Sequence, residues 1–264
     1  MREGPASRRA PVLDLSVGLV GHWTFDEGRG TRVGDASGNG NGGVLKKMST
    51  SSAWVAGCPS FSPNRHALRF DGKDDYVEVR PSRSLDTPNG LTITCWARLN
   101  QIKTIREDHT FVGKWGPGRD GVGESFIFWV GESAPHDELC FWASAGPWST
   151  RAGTQISHTT NADIRPGRWH HVAVVWRANE TPVFYQDGLA LDSVQKGGPY
   201  KRTIPRIQRT QTPIKLGQGD RNPPRGIHRL DGELDEVRIY SRALSAEEVT
   251  ALANVPALGT TEPR

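Results

Sequence analysis

Short apolar stretches in which hydrophobic and polar residues alternate dominate the chain, and clusters of Gly, Pro, Asn and Asp separate them. Within Leu91–Leu99 every second residue is apolar, whereas Trp169–Arg177 is apolar on both faces, as in a strand buried at the centre of a sheet. This pattern predicts ten strands, at Gly18–Phe25, Ala67–Phe70, Tyr76–Arg80, Leu91–Leu99, Ser125–Val130, Glu138–Ala143, Trp169–Arg177, Pro182–Gln186, Ile214–Gly217 and Gly232–Tyr240.

Two Asp-Gly pairs predict turns between these strands. Asp187–Gly188 separates two short apolar runs and is typical of a two-residue hairpin turn, because such a turn needs positive φ at both central residues. Asp71–Gly72 is predicted to open a longer hairpin connection of the same kind.

One helix is predicted, near the C-terminus. Ser245 followed by Glu248 forms a capping-box pattern that introduces Ala246–Ala253, and Pro256 follows soon after. Ten or more strands with a single terminal helix indicate an all-β fold, a two-sheet antiparallel jelly-roll sandwich with one short C-terminal helix.

Length and composition agree with one ordered domain. The 264 residues include 30 Gly and 18 Pro, which is rich in turn formers but below the level of low-complexity chains. We expect an N-terminal arm at 1–14, one domain at 15–255 and a tail at 256–264. No apolar run has the length of a membrane helix and no signal peptide is visible, so membrane insertion is not expected.

The formal net charge of +4 is unevenly distributed. Between Gln195 and Arg229 there are nine basic residues and one acidic residue, Asp220, so this basic block carries +8 and the rest of the chain −4. Such a block either forms a solvated face or attracts an anionic partner.

The three cysteines, Cys58, Cys95 and Cys140, allow at most one disulfide, and the sequence leaves the pairing open. No C-x-x-C pair occurs, which argues against zinc ribbons and redox motifs.

A series of blocks carries a family resemblance when they are taken in order. They are Gly21–Gly30, Asp35–Gly42, Ala67–Gly72 with Asp75–Val77, Leu91–Ala97, Gly167–Ala173, Tyr185–Gly188, Leu230–Tyr240 and Arg242–Ser245. From about Gly18 to Ala253 the chain resembles the laminin-G-like, or concanavalin A-like lectin/glucanase, jelly-roll domains of bacterial extracellular proteins. It departs from them in two longer connecting regions, 101–160, which is rich in Trp, and 195–229, which is basic.

The resemblance implies one structural calcium ion that ties the two ends of the domain together. Related jelly rolls hold calcium with acidic residues after the first strand and on the last strand, and with carbonyl oxygens of a turn. Carried over, Asp26, Asp35 and Asp235 would supply carboxylates, and Gly38 and Asn39 carbonyls. The alternative is that these residues only form turns and hydrogen bonds.

Nine Trp residues are unusual for this length, and some of them lie outside the family blocks. Trp115 and Trp148 are expected in Gly/Pro-rich loops, where an exposed indole face suits the apolar face of a sugar ring, although packing is the competing explanation. Tyr200 and the basic block would favour an acidic ligand. The candidate ligand-binding residues are Trp115, Trp142, Trp148, Tyr200, Arg202 and Arg221.

Catalysis is the rival interpretation. The run Glu233–Glu236 superficially resembles a glucanase motif, but it lies in the last predicted strand and we reject it as catalytic. Were the protein a glycoside hydrolase or polysaccharide lyase, its paired acids would come from the enlarged middle, and solvated acids remain the simpler explanation. The candidates are Glu124, Asp137, Glu138 and His136.

The sequence therefore predicts a calcium-stabilised, carbohydrate-binding, lectin-like module with no catalytic residues, whose partner is a poly- or oligosaccharide of acidic character. The alternatives are a polysaccharide-cleaving enzyme and a protein–protein adhesion domain. Nucleic acid is not expected as a partner, because no recognition helix accompanies the basic block. The resemblance implies an extracellular or cell-surface location and a place in a larger multidomain protein.

Overall fold

A computed structural model describes residues 13–59, 66–102, 108–116, 123–131, 138–146, 153–196, 200–220 and 227–254. In chain order these contain the strands β1 (Leu19–Trp23), β2 (Arg32–Val33), β3 (Gly43–Lys46), β4 (Trp54–Ala56), β5 (His66–Asp71), β6 (Tyr76–Val79), β7 (Gly90–Leu99), β8 (His109–Trp115), β9 (Glu124–Val130), β10 (Leu139–Ser144), β11 (Thr154–Thr159), β12 (Trp169–Arg177), β13 (Val183–Gln186), β14 (Leu189–Leu191), β15 (Ser193–Gln195), β16 (Ile214–Leu216), β17 (Gln218–Asp220), β18 (Ile227–Arg229) and β19 (Asp231–Tyr240), a 3-10 turn at Arg83–Leu85, and the helix α1 (Ala246–Ala253).

The strands form two antiparallel sheets and a small ribbon. One sheet has eight strands in the order β14-β13-β12-β7-β19-β5-β4, with β1 also paired to β19. The other has nine strands in the order β15-β11-β10-β9-β8-β16-β6-β3-β2, and β17 pairs with β18 separately. The first strand thus pairs with the last, as expected for the predicted jelly-roll sandwich.

The core lies between the two sheets and follows the period of two along their strands. Ile93 and Cys95 of β7 meet Phe126 and Phe128 of β9 in one buried cluster. The alternate residues of β9 and β10 point away from this core and form a second apolar layer on the outer face of the nine-stranded sheet. The helix α1 covers part of the outer face of the eight-stranded sheet through Val249 and Leu252.

The predicted hairpin and helix are confirmed. Asp187 and Gly188 both have positive φ, 51° and 83°, and connect β13 to β14. Ser245 accepts from the backbone N–H of Glu248 while the Glu248 carboxylate accepts from the backbone N–H of Ser245, so the capping box is complete.

The prediction that Asp71–Gly72 opens a hairpin is wrong. Gly72 has positive φ, but β5 lies in the eight-stranded sheet and β6 in the nine-stranded sheet, so Asp71–Gly72 begins a crossing between sheets and not a hairpin. Within the described residues no helix is long and apolar enough to cross a membrane. All three cysteines are buried free thiols.

Candidate functional site

Four aromatic residues meet on the outer face of the nine-stranded sheet, and we call them the outer aromatic cluster: Trp115, Trp129, Trp142 and Tyr200. The ring centroids of Trp115 and Trp142 lie 4.9 Å apart, and those of Trp129 and Trp142 lie 6.4 Å apart. Tyr200 meets Trp142 edge-to-face at 6.3 Å. Trp142 is therefore the centre of the cluster, and residues far apart in sequence converge on it.

The strands fix the geometry of this cluster. Trp129 of β9 and Trp142 of β10 alternate with core residues of the same strands, so both indoles leave the sheet on the side away from the core. Trp115 ends β8 and is only 2% exposed, so the expectation that it stands exposed in a loop is wrong. Tyr200 is half-buried. Trp148 lies outside the described residues.

A cavity of about 460 Å³ opens beside Tyr200, and we call it the Tyr200 cavity. Tyr200 lines this cavity and also packs against Trp142, so it links the open surface to the outer aromatic cluster. The buried Oε1 of Gln195 has no hydrogen-bond partner among the described residues, although the amide lines the cavity. The lining residues are Thr181, Ser193, Val194, Gln195, Lys196, Tyr200 and Arg202.

The backbone that carries Arg202 is held by a buried amide. Gln155 donates through Nε2 to the carbonyl oxygen of Arg202 at 2.5 Å, and its Oε1 accepts from the indole N–H of Trp176 at 2.8 Å. The N–H of Lys201 donates to the carbonyl oxygen of Thr154 at 2.7 Å. The exposed Arg202 side chain thus projects from an anchored segment. Arg221 lies outside the described residues.

Sequence reasoning named Tyr200 and Arg202, and it included Lys196 only as part of the basic block. It missed the other lining residues of the Tyr200 cavity, Thr181, Ser193, Val194 and Gln195, because none of these four belongs to a motif. Gln195 lies opposite Ser157 through the pairing of β15 with β11, and no local pattern in the sequence reveals that pairing.

Asp235 offers a buried, incompletely satisfied carboxylate. Its Oδ2 accepts from the N–H of Cys58 at 2.9 Å, while its buried Oδ1 has no hydrogen-bond partner among the described residues. Burial raises the pKa of Asp235 to about 7, and the charges of Glu236 and Asp26 act in the same direction. The group is therefore placed where a nearby cation would relieve both the desolvation and the repulsion between carboxylates.

The carboxylate of Asp35, unlike that of Asp235, accepts hydrogen bonds through both of its oxygens. Its Oδ1 accepts from the N–H groups of His22 and Ser37, both at 2.9 Å, and its Oδ2 accepts from the N–H of Asn41 at 2.8 Å. Hydrogen bonds to Ser37, Asn41 and His22 outweigh its burial and lower the pKa of Asp35. This carboxylate organises the turn that contains Gly38, whose φ is +82°, and Asn39, whose Nδ2 donates to the carbonyl oxygen of Leu19 at 3.0 Å.

Another group of acids lies elsewhere on the surface. Asp71, Asp74 and Asp75 place carboxylate oxygens within 4.8 Å of one another, and no other trio of His, Cys, Asp or Glu in the described ranges does so. Burial and the charge of Asp71 raise the pKa of Asp75 to about 6. Asp26, Asp35 and Asp235 thus do not converge on a single point, although Asp26 and Asp235 interact.

The two candidate catalytic acids that the structure describes, Glu124 and Glu138, do not form a pair. Glu124 begins β9, and Glu138 lies beside Gly131 just beyond the other end of that strand, roughly 20 Å away along the strand. Paired glycosidase carboxylates are about 5–10 Å apart. Glu138 instead contacts Nδ1 of His158 at 3.0 Å. His136 and Asp137 lie outside the described residues.

Two acids of the last strand, Glu233 and Glu236, pair with arginines. Glu233 is buried and accepts from Arg69 at 3.0 Å and from Arg98 at 2.5 Å. Glu236 pairs with Nε2 of His22 at 2.8 Å and with Arg238. These ion pairs are structural, which supports the decision to reject this run as a catalytic motif.

A family model described as "Concanavalin A-like lectin/glucanases superfamily" (Laminin_G_3) matches residues 71–250. A search of curated proteins gives no match.

Solved structures share the fold at low sequence identity. The binding domain of Paraclostridial Mosquitocidal Protein 1 is 17% identical, with a TM-score of 0.64 over 92% of this chain and 53% of that one. Domain 4 of AbnA, a GH43 extracellular arabinanase from Geobacillus stearothermophilus solved with arabinotriose, is 20% identical, with a TM-score of 0.59 over 89% of this chain and 98% of that one. The botulinum neurotoxin serotype C1 binding domain is 12% identical, with a TM-score of 0.60 over 92% and 53%. This chain spans about half the length of the two toxin chains.

Proposed function

The chain belongs to the concanavalin A-like lectin/glucanases superfamily, and we propose that it is a glycan-recognition module that binds a poly- or oligosaccharide in the Tyr200 cavity. The position of Tyr200 is the main support for this proposal. Tyr200 lines the cavity, and its ring packs edge-to-face against Trp142 at a centroid distance of 6.3 Å. A rigid, half-exposed aromatic ring beside polar side chains is the usual composition of a sugar site.

The buried tryptophans have a supporting role in this proposal. Trp115 and Trp142 are 2% and 4% exposed, so a sugar ring contacts Tyr200 and not their faces. Trp142 packs against Trp115 on one side and against the ring of Tyr200 on another, which restricts Tyr200 and lowers the entropy lost when a ligand binds.

The ligand we favour is an acidic glycan. Arg202 and Lys196 line the Tyr200 cavity, and no Asp or Glu lines it among the residues that the structure describes. An arginine forms bidentate hydrogen bonds with a carboxylate or sulfate group. The related AbnA domain was solved with arabinotriose, which supports a carbohydrate as the general class of ligand.

We also propose a structural calcium ion near the first and last strands, with Asp26 and Asp235 as its carboxylate ligands. The unpartnered, buried Oδ1 of Asp235 and the repulsion from Asp26 support this assignment. Calcium would supply charge neutralisation and a crosslink between the ends of the domain. Asn39 bonds to Leu19, which pairs with Tyr240 at the end of β19 away from Asp235, so the carbonyl oxygens of Gly38 and Asn39 are not among the ligands proposed.

An extracellular or cell-surface location within a longer polypeptide fits this function. AbnA is described as extracellular, and the two toxin relatives are binding domains that the chain covers by about half.

The deciding experiment is a glycan array probed in calcium, followed by calorimetry with the best ligand on the wild type, Tyr200→Ala and Tyr200→Phe. We expect Tyr200→Ala to weaken binding about tenfold and Tyr200→Phe to retain most of it, because the ring provides the contact. Tyr76→Ala is the matched control, since Tyr76 is also half-buried but lies on β6, four strands from β10. Absence of binding to every glycan, with binding to a protein partner instead, would establish the adhesion alternative.

A further inference from the structure

A second, larger cavity lies along the same basic segment, and we call it the Arg206 cavity. Its volume is about 650 Å³. It lies where the residues before β7 and after β10 meet the segment that precedes β16. The lining residues are Pro88, Asn89, Ala145, Gly146, Arg206, Ile207, Gln208 and Arg209.

The two arginines of this cavity have no acidic partner. Both side chains are exposed, and neither guanidinium forms an ion pair within the part of the chain that the structure describes. The remaining polar lining consists of the amides Asn89 and Gln208, and no described Asp or Glu contributes. Two arginines without counter-charge repel each other, and a bound anion would remove that repulsion.

The segment that carries these arginines is fixed to the sandwich. Ile207 is 2% exposed in the main core, and its N–H donates to the carbonyl oxygen of Pro88 at 2.9 Å. The N–H of Gln208 donates to the carbonyl oxygen of Ser144 at 2.7 Å. Arg206 and Arg209 therefore emerge on either side of an anchored pair of residues, so only their side chains must be ordered when a ligand binds.

The Arg206 cavity and the Tyr200 cavity share one continuous segment. Tyr200 and Arg202 line the Tyr200 cavity, Arg206 and Arg209 line the Arg206 cavity, and the chain between these residues contains no strand. Arg209 lies seven positions after Arg202, so the Cα atoms of the two arginines are at most about 25 Å apart. A single oligosaccharide can extend over such a distance.

We propose that the Arg206 cavity is an anion subsite that binds a carboxylate or sulfate group of an acidic glycan whose neighbouring sugars occupy the Tyr200 cavity. This inference rests on the proposed glycan-binding function and adds a second contact that depends on charge and on ligand length. Arg206 and Arg209 grip the anionic group with charge-assisted hydrogen bonds, and Asn89 supplies a neutral amide at the edge of the cavity. Neutral glycans gain nothing from this subsite.

The test measures the affinity of the full chain for three sets of oligosaccharides of increasing length: sulfated, uronate-containing and neutral. For the longer anionic ligands we expect Arg206→Ala/Arg209→Ala to weaken binding about tenfold and to abolish the gain in affinity with length. Neutral ligands should bind both proteins equally. Comparison of the sulfated and uronate sets identifies which anionic group the subsite takes.

The matched control is Arg168→Ala. Arg168 is also exposed, but it precedes β12 at the end of the sheet opposite Asn89, as the pairing of Trp169 with Arg98 and of Arg177 with Gly90 shows. Because Arg168→Ala removes one charge and the double variant removes two, a loss of about threefold in Arg168→Ala would show that binding depends only on net charge and would overturn the subsite.

Failure of this inference is distinguishable from failure of the proposed function. If anionic glycans bind and the double variant binds them like the wild type, the subsite is wrong and the Tyr200 site stands. If no glycan binds, an NMR titration with inorganic sulfate, followed through the arginine Nε–Hε signals, tests separately whether the Arg206 cavity binds an anion. Selective shifts of the Arg206 and Arg209 signals support an anion site, and their absence overturns it.

Discussion

The N–H of Cys58 donates to Oδ2 of Asp235 at 2.9 Å across a sequence separation of 177 residues, while Oδ1 of the same carboxylate is buried and has no partner among the described residues. One oxygen of a buried carboxylate is thus satisfied and the other is not. An ionised group in this state is costly, because burial removes water without replacing its hydrogen bonds. Either a proton or a cation must compensate, and the two possibilities predict different experiments.

If calcium compensates, calcium should raise the thermal midpoint of the wild type and should not raise that of Asp235→Asn. A ligand at 100 times its dissociation constant stabilises the folded state by about 2.7 kcal/mol. Scanning calorimetry with calcium and with a chelator measures the shift. An unchanged midpoint in the wild type would exclude the ion.

Two further variants locate the ion. Asp163→Asn changes an exposed carboxylate paired with Arg165 and should keep the full calcium shift. Asp75→Asn should also keep it, although Asp75 belongs to the surface trio with Asp71 and Asp74. Loss of the shift in Asp75→Asn, with retention in Asp235→Asn, would move the ion to that trio.

His171 should make the protein less stable in acid. It is fully buried beside Trp96, with ring centroids 5.6 Å apart, and burial together with the charge of Arg238 lowers the pKa of His171 to about 3. Since the unfolded side chain has a pKa near 6.5, the unfolded state binds the proton first, and the stability is lost as the pH falls from about 6.5 towards 3. Between about pH 8 and about pH 5 this group should cost the folded state about 2 kcal/mol.

Urea unfolding of the wild type and His171→Phe, both with a chelator, tests this pH dependence. At high pH the imidazole is neutral in both states, so the difference between the proteins there reports packing alone. The variant should then lose less stability than the wild type as the pH falls. If the free energy of unfolding falls equally with pH in both proteins, another group causes the loss of stability in acid.

Alternation and turn chemistry predicted the strands in which polar residues are few. Strands β7 and β12 follow their predicted bounds closely, because apolar residues dominate their buried positions. Strand β19 also follows its predicted bounds, although it buries the charged residues Glu233, Asp235 and Glu236 among its apolar ones. β8 and β11 escaped prediction, because they bury polar side chains. Lys114 of β8 pairs with Asp86, and Gln155 of β11 bonds to Trp176 and Arg202. Such partners are distant in sequence, so no local pattern reveals that a polar residue is satisfied.

The candidate site was predictable only in part, because the sequence shows residue types but not their packing. Aromatic residues and the basic block indicated Trp142, Tyr200 and Arg202, and the structure brings these together. The sequence cannot show that Trp115 is covered by its neighbours, because exposure depends on packing and not on the adjacent Gly and Pro. It also cannot show that Arg206 and Arg209 share a cavity.

Gly217 and Gly30 form a matched pair for testing backbone strain against packing. Both have positive φ, +82° and +81°, but a Cβ at Gly217 would lie 2.3 Å from Cε1 of Phe70, whereas nothing lies within 4 Å at Gly30. Gly30→Ala should cost about 1–2 kcal/mol from the left-handed conformation alone. Gly217→Ala should cost about 1–3 kcal/mol more, because Phe70 must move within the core. Equal losses in urea unfolding would show that the contact relaxes freely.

The buried pair of Lys114 and Asp86 should respond asymmetrically to mutation. Nζ of Lys114 lies 2.6 Å from Oδ1 of Asp86, and the lysine side chain is 1% exposed whereas the aspartate is 14% exposed. Asp86→Ala strands a buried ammonium and should cost about 3–5 kcal/mol, whereas Lys114→Met leaves an acid that water can reach and should cost less. The double variant should recover most of the loss, since no buried charge remains. Urea unfolding of the three variants measures this coupling, and additive losses would show that Lys114 finds another partner.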